Sequence, residues 1–435
     1  MTKLTIWGGA GEHGRSSYLL QGKESCILLD CGVKKEGKGE YPLLDAAVIP
    51  QLQAVFLSHA HEDHSMALPL LYKYGYKGKV WTTRDTFRQL PGYFEAWSRY
   101  TAAESAGLPY GDEDKQAMEF MFLDEQAGPR TWLNVAPGLR VQWGRSGHLA
   151  GAVWLALEWE GKRIYFSGDY TEESQLLAVD RPQALFLSGP EAGRGQGEAD
   201  LAIIDAAYGA DPEEQHVKLL QLETVIRDTL EGGGCVLLPM PLQGRGQELL
   251  IWAAEWFPQA QLVVEEALLA PLRALQTRSA WLRDEAPGSI DRLLNSRNLK
   301  AVSSPSERKE ALLERKNKII FTNDALLQSP TAQWYYRQLL DVPGSHVIFT
   351  GHLPEGSFGR NLLGQQSSGG CKVSLIRYKV HQGLPDIRRM LRAVPSRRTV
   401  LVHAPKKQTD QVLSILEEEG FTGLYSLLPG DSISF

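Results

Sequence analysis

A chain of 435 residues with 43% hydrophobic and 23% charged residues has a globular composition, and its length exceeds one ordinary core, so two domains or one interrupted domain are expected. The formal charge of -6 argues against a surface that binds polyanions everywhere. No apolar run reaches the roughly 18 to 20 residues that cross a bilayer; with Gly8-Gly9-Ala10-Gly11 so soon after Met1, a protein without a signal peptide is expected. Cys26, Cys31, Cys235 and Cys371 include no Cys-x-x-Cys pair, so a cytoplasmic protein with no membrane partner is expected.

Along the first 200 residues, short β-like runs alternate with Gly-containing turns: Leu4 to Trp7, Ser17 to Leu20, Cys26 to Asp30, Ala54 to Ser58, Lys79 to Thr82, Leu139 to Trp143, Val153 to Glu158 and Arg163 to Ser167. From about Asp211 to Gly370 the pattern changes. Helical stretches (Glu213 to Leu230, Gln247 to Trp256, Leu268 to Arg283, Glu307 to Arg315, Thr331 to Leu340) alternate with the apolar runs Cys235 to Pro239, Gln261 to Val264, Lys318 to Thr322 and His346 to Thr350, which predicts a separate α/β layer with a parallel sheet. Gln365 to Gly370 reads as a mobile connection. The last 65 residues return to the pattern of the first 200, with Val373 to Tyr378, a helix near Leu384 to Leu391, the strand Thr399 to Val402, a helix over Gln408 to Glu418 and a closing strand. One domain interrupted by another is the expected organisation, with boundaries at 1–210, 211–370 and 371–435.

The densest chemistry lies in His59-Ala60-His61-Glu62-Asp63-His64, which sets His59, His61, Asp63 and His64 within one tight turn, too close together for all four to serve one ion. Ala54 to Ser58 reads as a buried strand and Ser65 onward as a helix, so the histidines are expected on a strand-to-helix loop. Imidazole and carboxylate together suit zinc, and a catalytic zinc keeps one position open for water. The pattern points to a metal-dependent hydrolase. Three later strand ends offer more ligands: His148 among the glycines of Gly147-His148-Leu149-Ala150-Gly151, Asp169 after Ser167-Gly168, and His403 after Thr399-Val400-Leu401-Val402.

With these motifs in place the chain resembles the metallo-β-lactamase superfamily and, within it, the β-CASP nucleases, which include ribonuclease J and the endonuclease subunit of the polyadenylation factor. Gly8 to Ser17 followed by Leu28-Leu29-Asp30-Cys31-Gly32 is similar to that family's first strands, the hexapeptide to its signature, and the His148 and Asp169 segments to its third and fourth motifs. Ile203-Ile204-Asp205 resembles the strand of its motif A acid. Gly244-Arg245-Gly246-Gln247-Glu248 resembles its Arg-x-Gln-Glu segment, and Gly351 to Arg360 its Glu-Gly-Thr-x-Gly-Arg element. His381 and His403 stand at its motifs B and C.

The resemblance implies an α/β fold: an αββα metallo-β-lactamase sandwich interrupted by an α/β β-CASP domain with a parallel sheet. It implies two Zn2+ ions, one on His59, His61 and His148, the other on Asp63, His64 and His403, with Asp169 bridging. Two such ions activate a shared water for in-line displacement at phosphorus. His381, oriented by Asp205, is then the general acid for the leaving oxygen. Diiron flavoproteins of this fold carry Glu where this chain has His61, so zinc fits better than iron. A histidine at motif C is what RNA-acting members show, which implies single-stranded RNA as partner; a homodimer, if formed, would use the surfaces of the two domains.

The chain also departs from the family pattern. Asn323-Asp324 replaces a Ser-Gly-Met segment, Ala404-Pro405 follows motif C in place of Gly-Glu, and Ala206-Ala207 replaces a Ser-Thr pair. An ester or thioester hydrolase using the same zinc pair is therefore the second reading, and a non-catalytic RNA-binding paralogue the third; endonuclease and 5′ exonuclease remain equally open. Nine Lys or Arg residues against the single acid Asp386 between Arg377 and Lys407 offer either a phosphate-holding patch or a solvated helix face. The aromatics of Tyr93 to Trp97 and Phe120 to Phe122 offer either base stacking or core.

Overall fold

Short β-branched and aliphatic runs bounded by turn residues become strands here, and the computed structural model describes them across residues 2–183, 185–186, 197–314, 317–364 and 370–435. Two compact units result. One comprises Met1–Glu172, Val179–Pro212 and His381–Phe435; the other comprises Glu173–Ala178 and Glu213–Val380.

The first unit holds β1 (Lys3–Gly8), β2 (Ser17–Gln21), β3 (Cys26–Leu29), β4 (Leu52–Phe56), β5 (Lys79–Thr82), β6 (Glu119–Phe122), β7 (Leu133–Ala136), β8 (Leu139–Arg145), β9 (Val153–Trp159), β10 (Lys162–Phe166) and β11 (Leu201–Asp205). In the second unit lie β12 (Cys235–Met240), β13 (Gln261–Glu265), β14 (Leu299–Val302), β15 (Lys318–Asn323), β16 (His346–Phe349) and β17 (Lys372–Leu375). The chain then returns to the first unit with β18 (Thr399–Val402), β19 (Leu424–Ser426) and β20 (Ser432–Ser434).

In the first unit one sheet runs β20-β1-β2-β3-β4-β5-β6 and the other β19-β18-β11-β10-β9-β8-β7. The sheets face each other, with Tyr18 of β2 meeting Phe166 of β10 at 5.6 Å between ring centroids. On the outer side of the first sheet, Leu19, Leu28 and Val55 pack with Leu68 and Leu71 of a helix; on that of the second, Ala202, Ile204 and Leu401 pack with Ile387, Met390, Val412 and Leu416. This is the expected helix-sheet-sheet-helix layering, because period-two alternation sends one side chain inward and the next under a helix.

Every pairing in the sheet of the second unit, β14-β13-β15-β12-β16-β17, is parallel, as expected from the alternation of helices and apolar strands. β12 is buried at all six positions, and on one side Leu237, Ile320 and Val347 pack with Ala332, Tyr335 and Leu339 of the helix Pro330–Leu340.

Some elements differ from expectation. The strand expected over Val373 to Tyr378 is β17 and joins this parallel sheet beside β16. The helix expected over Leu268 to Arg283 runs only as Glu266–Gln276; Leu282 turns extended and bridges to Leu177, with Arg283 N–H donating to the Leu176 carbonyl. The helix expected to reach Arg315 runs as Pro305–Ala311, and Arg315 lies outside the described residues, as do residues 365–369 of the expected connection. A twenty-residue helix, Arg84–Ala103, has no counterpart among the expected elements. Among the described residues no helix is long and apolar enough to cross a membrane.

Candidate metal centre

Four strand ends and one short helix deliver the expected donors to one place in the first unit. β4 runs out into Ser58 to His61, and α1 (Glu62–Ser65) starts at once, so His59 and His61 lie on the loop while Asp63 and His64 occupy a helical turn. The helix begins earlier than the apolar pattern indicates because Glu62 and Asp63 suit a first turn. Three N–H groups clasp its carbonyls: Val33 to Glu62, Ser16 to Asp63 at 2.8 Å, and Cys31 to His64. That clasp leaves no room for a side chain at Gly32, where a Cβ would lie 1.8 Å from the Asp63 carbonyl oxygen.

The first set of donors is His59 Nε2, His61 Nδ1 and His148 Nε2. His61 Nδ1 is 3.0 Å from the His59 nitrogen and 3.1 Å from that of His148. A second set is Asp63 Oδ2, His64 Nε2 and His403 Nε2, with His403 2.9 Å from Asp63 and 3.4 Å from His64. Asp169, delivered by β10, reaches both: Oδ2 is 3.3 Å from His59 and 3.4 Å from His148, while Oδ1 is 3.3 Å from His64.

These donors fit divalent cations. A neutral imidazole has one N–H. His64 directs Nδ1 to Asp30 Oδ2 at 2.7 Å, and His59 places Nδ1 3.0 Å from Ser58 Oγ, so in the neutral ring the nitrogen that converges is the one with the lone pair. Against its burial, Asp169 and Asp63 draw His64 well above the ordinary imidazole range, so a bound cation would displace its proton. Burial, reinforced by neighbouring histidines, lowers His59 and His61 to about 3, which keeps both neutral and able to ligate. Burial opposes ionisation of Asp63 and Asp169, yet the surrounding histidines hold both carboxyls well below the ordinary range. His403 is drawn up to about 9, as Asp169 and Asp63 outweigh its burial. Buried acids and imidazoles in this density could hold a divalent metal ion.

His381 and Asp205 stand beside this centre. His381 Nδ1 is 3.1 Å from Asp205 Oδ2, and Asp205, fully buried at the end of β11, also accepts N–H from Tyr170 at 3.2 Å and Ala207 at 2.9 Å. The imidazole lies between His148 and His403, with ring centroids 4.7 and 5.1 Å away.

Asp30 and Ser58 join the site although neither stands out in the sequence. Asp30 accepts from Ser58 N and Oγ, both at 2.7 Å, while it holds His64, so it sets the tautomer of a ligand. The available signal is an acid directly after an apolar strand, Leu28-Leu29-Asp30. Its φ of 57°, like the 67° of His403, is a left-handed conformation that side chains rarely adopt, and both occur at strand ends inside the centre.

The ambiguous segments also resolve. Arg388 pairs with Glu419, Arg389 with Asp386, Lys406 with Asp410, and Arg397 with Glu198, so these four of the nine basic residues are offset by acids, three of which lie outside the stretch in sequence. Asp324 is spent on its own loop, accepting N–H from Leu326, Gln328 and Ser329. Glu248 of the Arg-x-Gln-Glu segment accepts from Ser174, from the Gln175 N–H and from the Tyr378 hydroxyl inside the second unit. Trp97 is fully buried, and Phe120 and Phe122 pack on Phe87, so these aromatics are core. Tyr93 alone among them reaches the centre, edge-on to His61 at 5.6 Å.

Comparison with known proteins agrees with this geometry. Residues 10–213 match the family described as the metallo-β-lactamase superfamily. The chain is 29% identical over 381 residues to the transcription termination factor FttA of Methanothermobacter thermautotrophicus, covering 83% of this chain and 57% of that protein. It is similar over nearly its full length to two proteins of Methanocaldococcus jannaschii: a probable RNase, MJ4, at 23% identity over 97% of each chain, and an RNase J-like protein at 24% over 94% of each. A crystal structure of a protein of unknown function from Enterococcus faecalis V583 aligns at a TM-score of 0.60 and 14% identity, over 99% of both chains, which is a likeness of fold alone.

Proposed function

We propose that this chain, whose residues 10–213 match the metallo-β-lactamase superfamily and whose relatives are consistent with its β-CASP nucleases, is a zinc-dependent phosphodiesterase that hydrolyses single-stranded RNA in the cytoplasm. In this reading the unit of Met1–Glu172, Val179–Pro212 and His381–Phe435 is the catalytic domain and Glu213–Val380 the β-CASP insertion. The expected boundary at 371 therefore moves to 381, because β17 pairs with β16. The chain spans just over half of the FttA relative, so the termination activity in that name is not carried over.

The observation that carries the reading is Asp169, whose two carboxylate oxygens each face a different set of three donors. That arrangement suits two ions: His59, His61 and His148 would hold one and Asp63, His64 and His403 the other, with Asp169 within reach of both. When bound, the pair supplies an ionised water near neutral pH and offsets charge on the attacking and leaving oxygens.

The protein's own groups do the rest. Asp30 and Ser58 fix the rings of His64 and His59 so that their free nitrogens point inward. Asp205 holds the proton of His381 at Nδ1 and turns the other ring nitrogen to proton transfer, and His381 protonates the leaving ribose oxygen as the phosphorus–oxygen bond breaks. The buried cysteines Cys26, Cys31, Cys235 and Cys371 suit a reducing compartment.

The test is incubation of zinc-loaded protein with 5′-labelled single-stranded RNA beside an Asp63→Ala, His64→Ala variant, with products resolved on a sequencing gel. Cleavage that disappears in the variant supports the nuclease, mononucleotides marking an exonuclease and internal fragments an endonuclease. Intact RNA beside a hydrolysed thioester overturns the choice of substrate.

A further inference from the structure

The helix α3, Arg84–Ala103, is pinned to the loop that carries His148. Thr83 caps it, accepting from Thr86 N–H, and its hydroxyl donates to the Gly151 carbonyl at 2.7 Å. Thr86 donates to the same carbonyl at 2.9 Å, and Gln89 Nε2 donates to Ala150 at 2.8 Å. Three consecutive contacts fix the helix in rotation and height. One turn beyond Gln89 the same face presents Tyr93.

Its ring stands edge-on to that of His61, with 5.6 Å between centroids and 77° between planes. Thus Tyr93 lies outside the donor set and meets the centre at His61. The ring is half-buried and packed against the core under α3. Its hydroxyl makes no hydrogen bond among the described residues, yet it is not sealed from solvent, in contrast to the enclosed Tyr110 hydroxyl. A phenol beside a buried cluster of ligands, held rigidly and left with an unused donor, is poised for something that enters from solvent. Hydrophobic packing alone explains the ring and leaves the hydroxyl unexplained.

We propose that Tyr93 is a substrate-contacting residue whose hydroxyl donates a hydrogen bond to a non-bridging oxygen of the phosphoryl group lying at the metal centre. The inference rests on the reading of this centre as a phosphodiesterase and adds a residue to it. A phosphoryl oxygen is the acceptor that matches: it is anionic, and a phenol is protonated at neutral pH, so the bond is charge-assisted. An ester or thioester carbonyl offers only a neutral acceptor there. The contact orients the phosphorus for in-line attack, and His381 serves the leaving oxygen separately.

The test uses the zinc-loaded full chain as wild type and as Tyr93→Phe, which keeps the ring against His61 and removes one oxygen. Inorganic phosphate affinity is measured by calorimetry, and kcat/KM on single-stranded RNA with either phosphate or each phosphorothioate diastereomer at the cut position. Loss of one hydrogen bond to a charged group predicts phosphate binding and kcat/KM each lower by about 10- to 100-fold. Zinc content and Tm stay at wild-type values, and the defect shrinks for the one diastereomer whose sulfur, a poor acceptor, replaces the contacted oxygen. Unchanged phosphate affinity with unchanged kcat/KM overturns the inference. So does a loss that tracks missing zinc or a lower Tm, since Tyr93 would then only support His61. If neither protein cuts RNA but phosphate binding still weakens in Tyr93→Phe, the RNA reading falls and the phosphoryl contact stands.

Discussion

Replacing His381 by Ala removes the group assigned to protonate the leaving oxygen and leaves the seven expected ligands in place. The His381 side chain is 14% exposed and touches Asp205 through Nδ1 at 3.1 Å, and Asp205 keeps its N–H donors Tyr170 and Ala207 without it. The ring also lies against His148 and His403, which is why zinc content has to be matched. A positioned general acid contributes about 10²- to 10⁴-fold, so the barrier for natural RNA should rise by about 2.7 to 5.5 kcal/mol. The effect should depend on the leaving group. Ribose oxygen leaves poorly without a proton, whereas p-nitrophenolate leaves unaided, so a nucleotide p-nitrophenyl ester should lose less than about tenfold. Single-turnover rates on both substrates, at matched zinc content, give the comparison. Equal losses on the two would mean that His381 supports the centre as a whole, and no loss on RNA would remove it from the mechanism.

Asp30→Ala strips His64 of its acceptor and leaves the Ser58 N–H unpaired, so zinc affinity should fall by about 10- to 100-fold in a chelator competition. Gly32→Ala drives a methyl group into the Asp63 carbonyl, and the displaced segment should cost about 1 to 3 kcal/mol or more in urea unfolding together with loss of metal from the Asp63 and His64 side. In the second unit, Glu307 receives N–H groups from Ser303 and Ser304 at the start of Pro305–Ala311, which pull its carboxyl from 4.5 to about 2. A depressed folded-state value contributes stability above the unfolded value and loses it as pH falls from about 4.5 through 2. Glu307→Gln should therefore flatten the acid limb of the unfolding curve in that window, and an unchanged limb would mean that the cap contributes nothing there.

The candidate metal ligands are legible because they follow strands whose apolar runs are themselves legible, directly for His59, His148, Asp169 and His403 and one short helical turn later for Asp63 and His64. His59 to His64 crowd donors into one turn; Gly147-His148 and Gly168-Asp169 mark backbone that turns sharply. What escapes a sequence reading depends on contacts between remote segments. Asp30 looks like any strand end until His64, 34 residues on, arrives beside it. The acids that offset Arg388 and Arg397 lie at Glu419 and Glu198, invisible to a local reading of charge. The helix Arg84–Ala103 is masked by Pro91-Gly92 in its middle, and with it the position of Tyr93. The break after Gln276 follows from pairing of Leu282 with Leu177, which no propensity encodes.

Whether the centre works with two ions is decided by titrating zinc into metal-stripped protein and measuring RNA hydrolysis at each bound equivalent. Two-ion chemistry predicts no cleavage without metal and full activity only as the second equivalent binds. Cleavage that persists in the metal-free chain, or is complete at one equivalent and unchanged by the next, would contradict it.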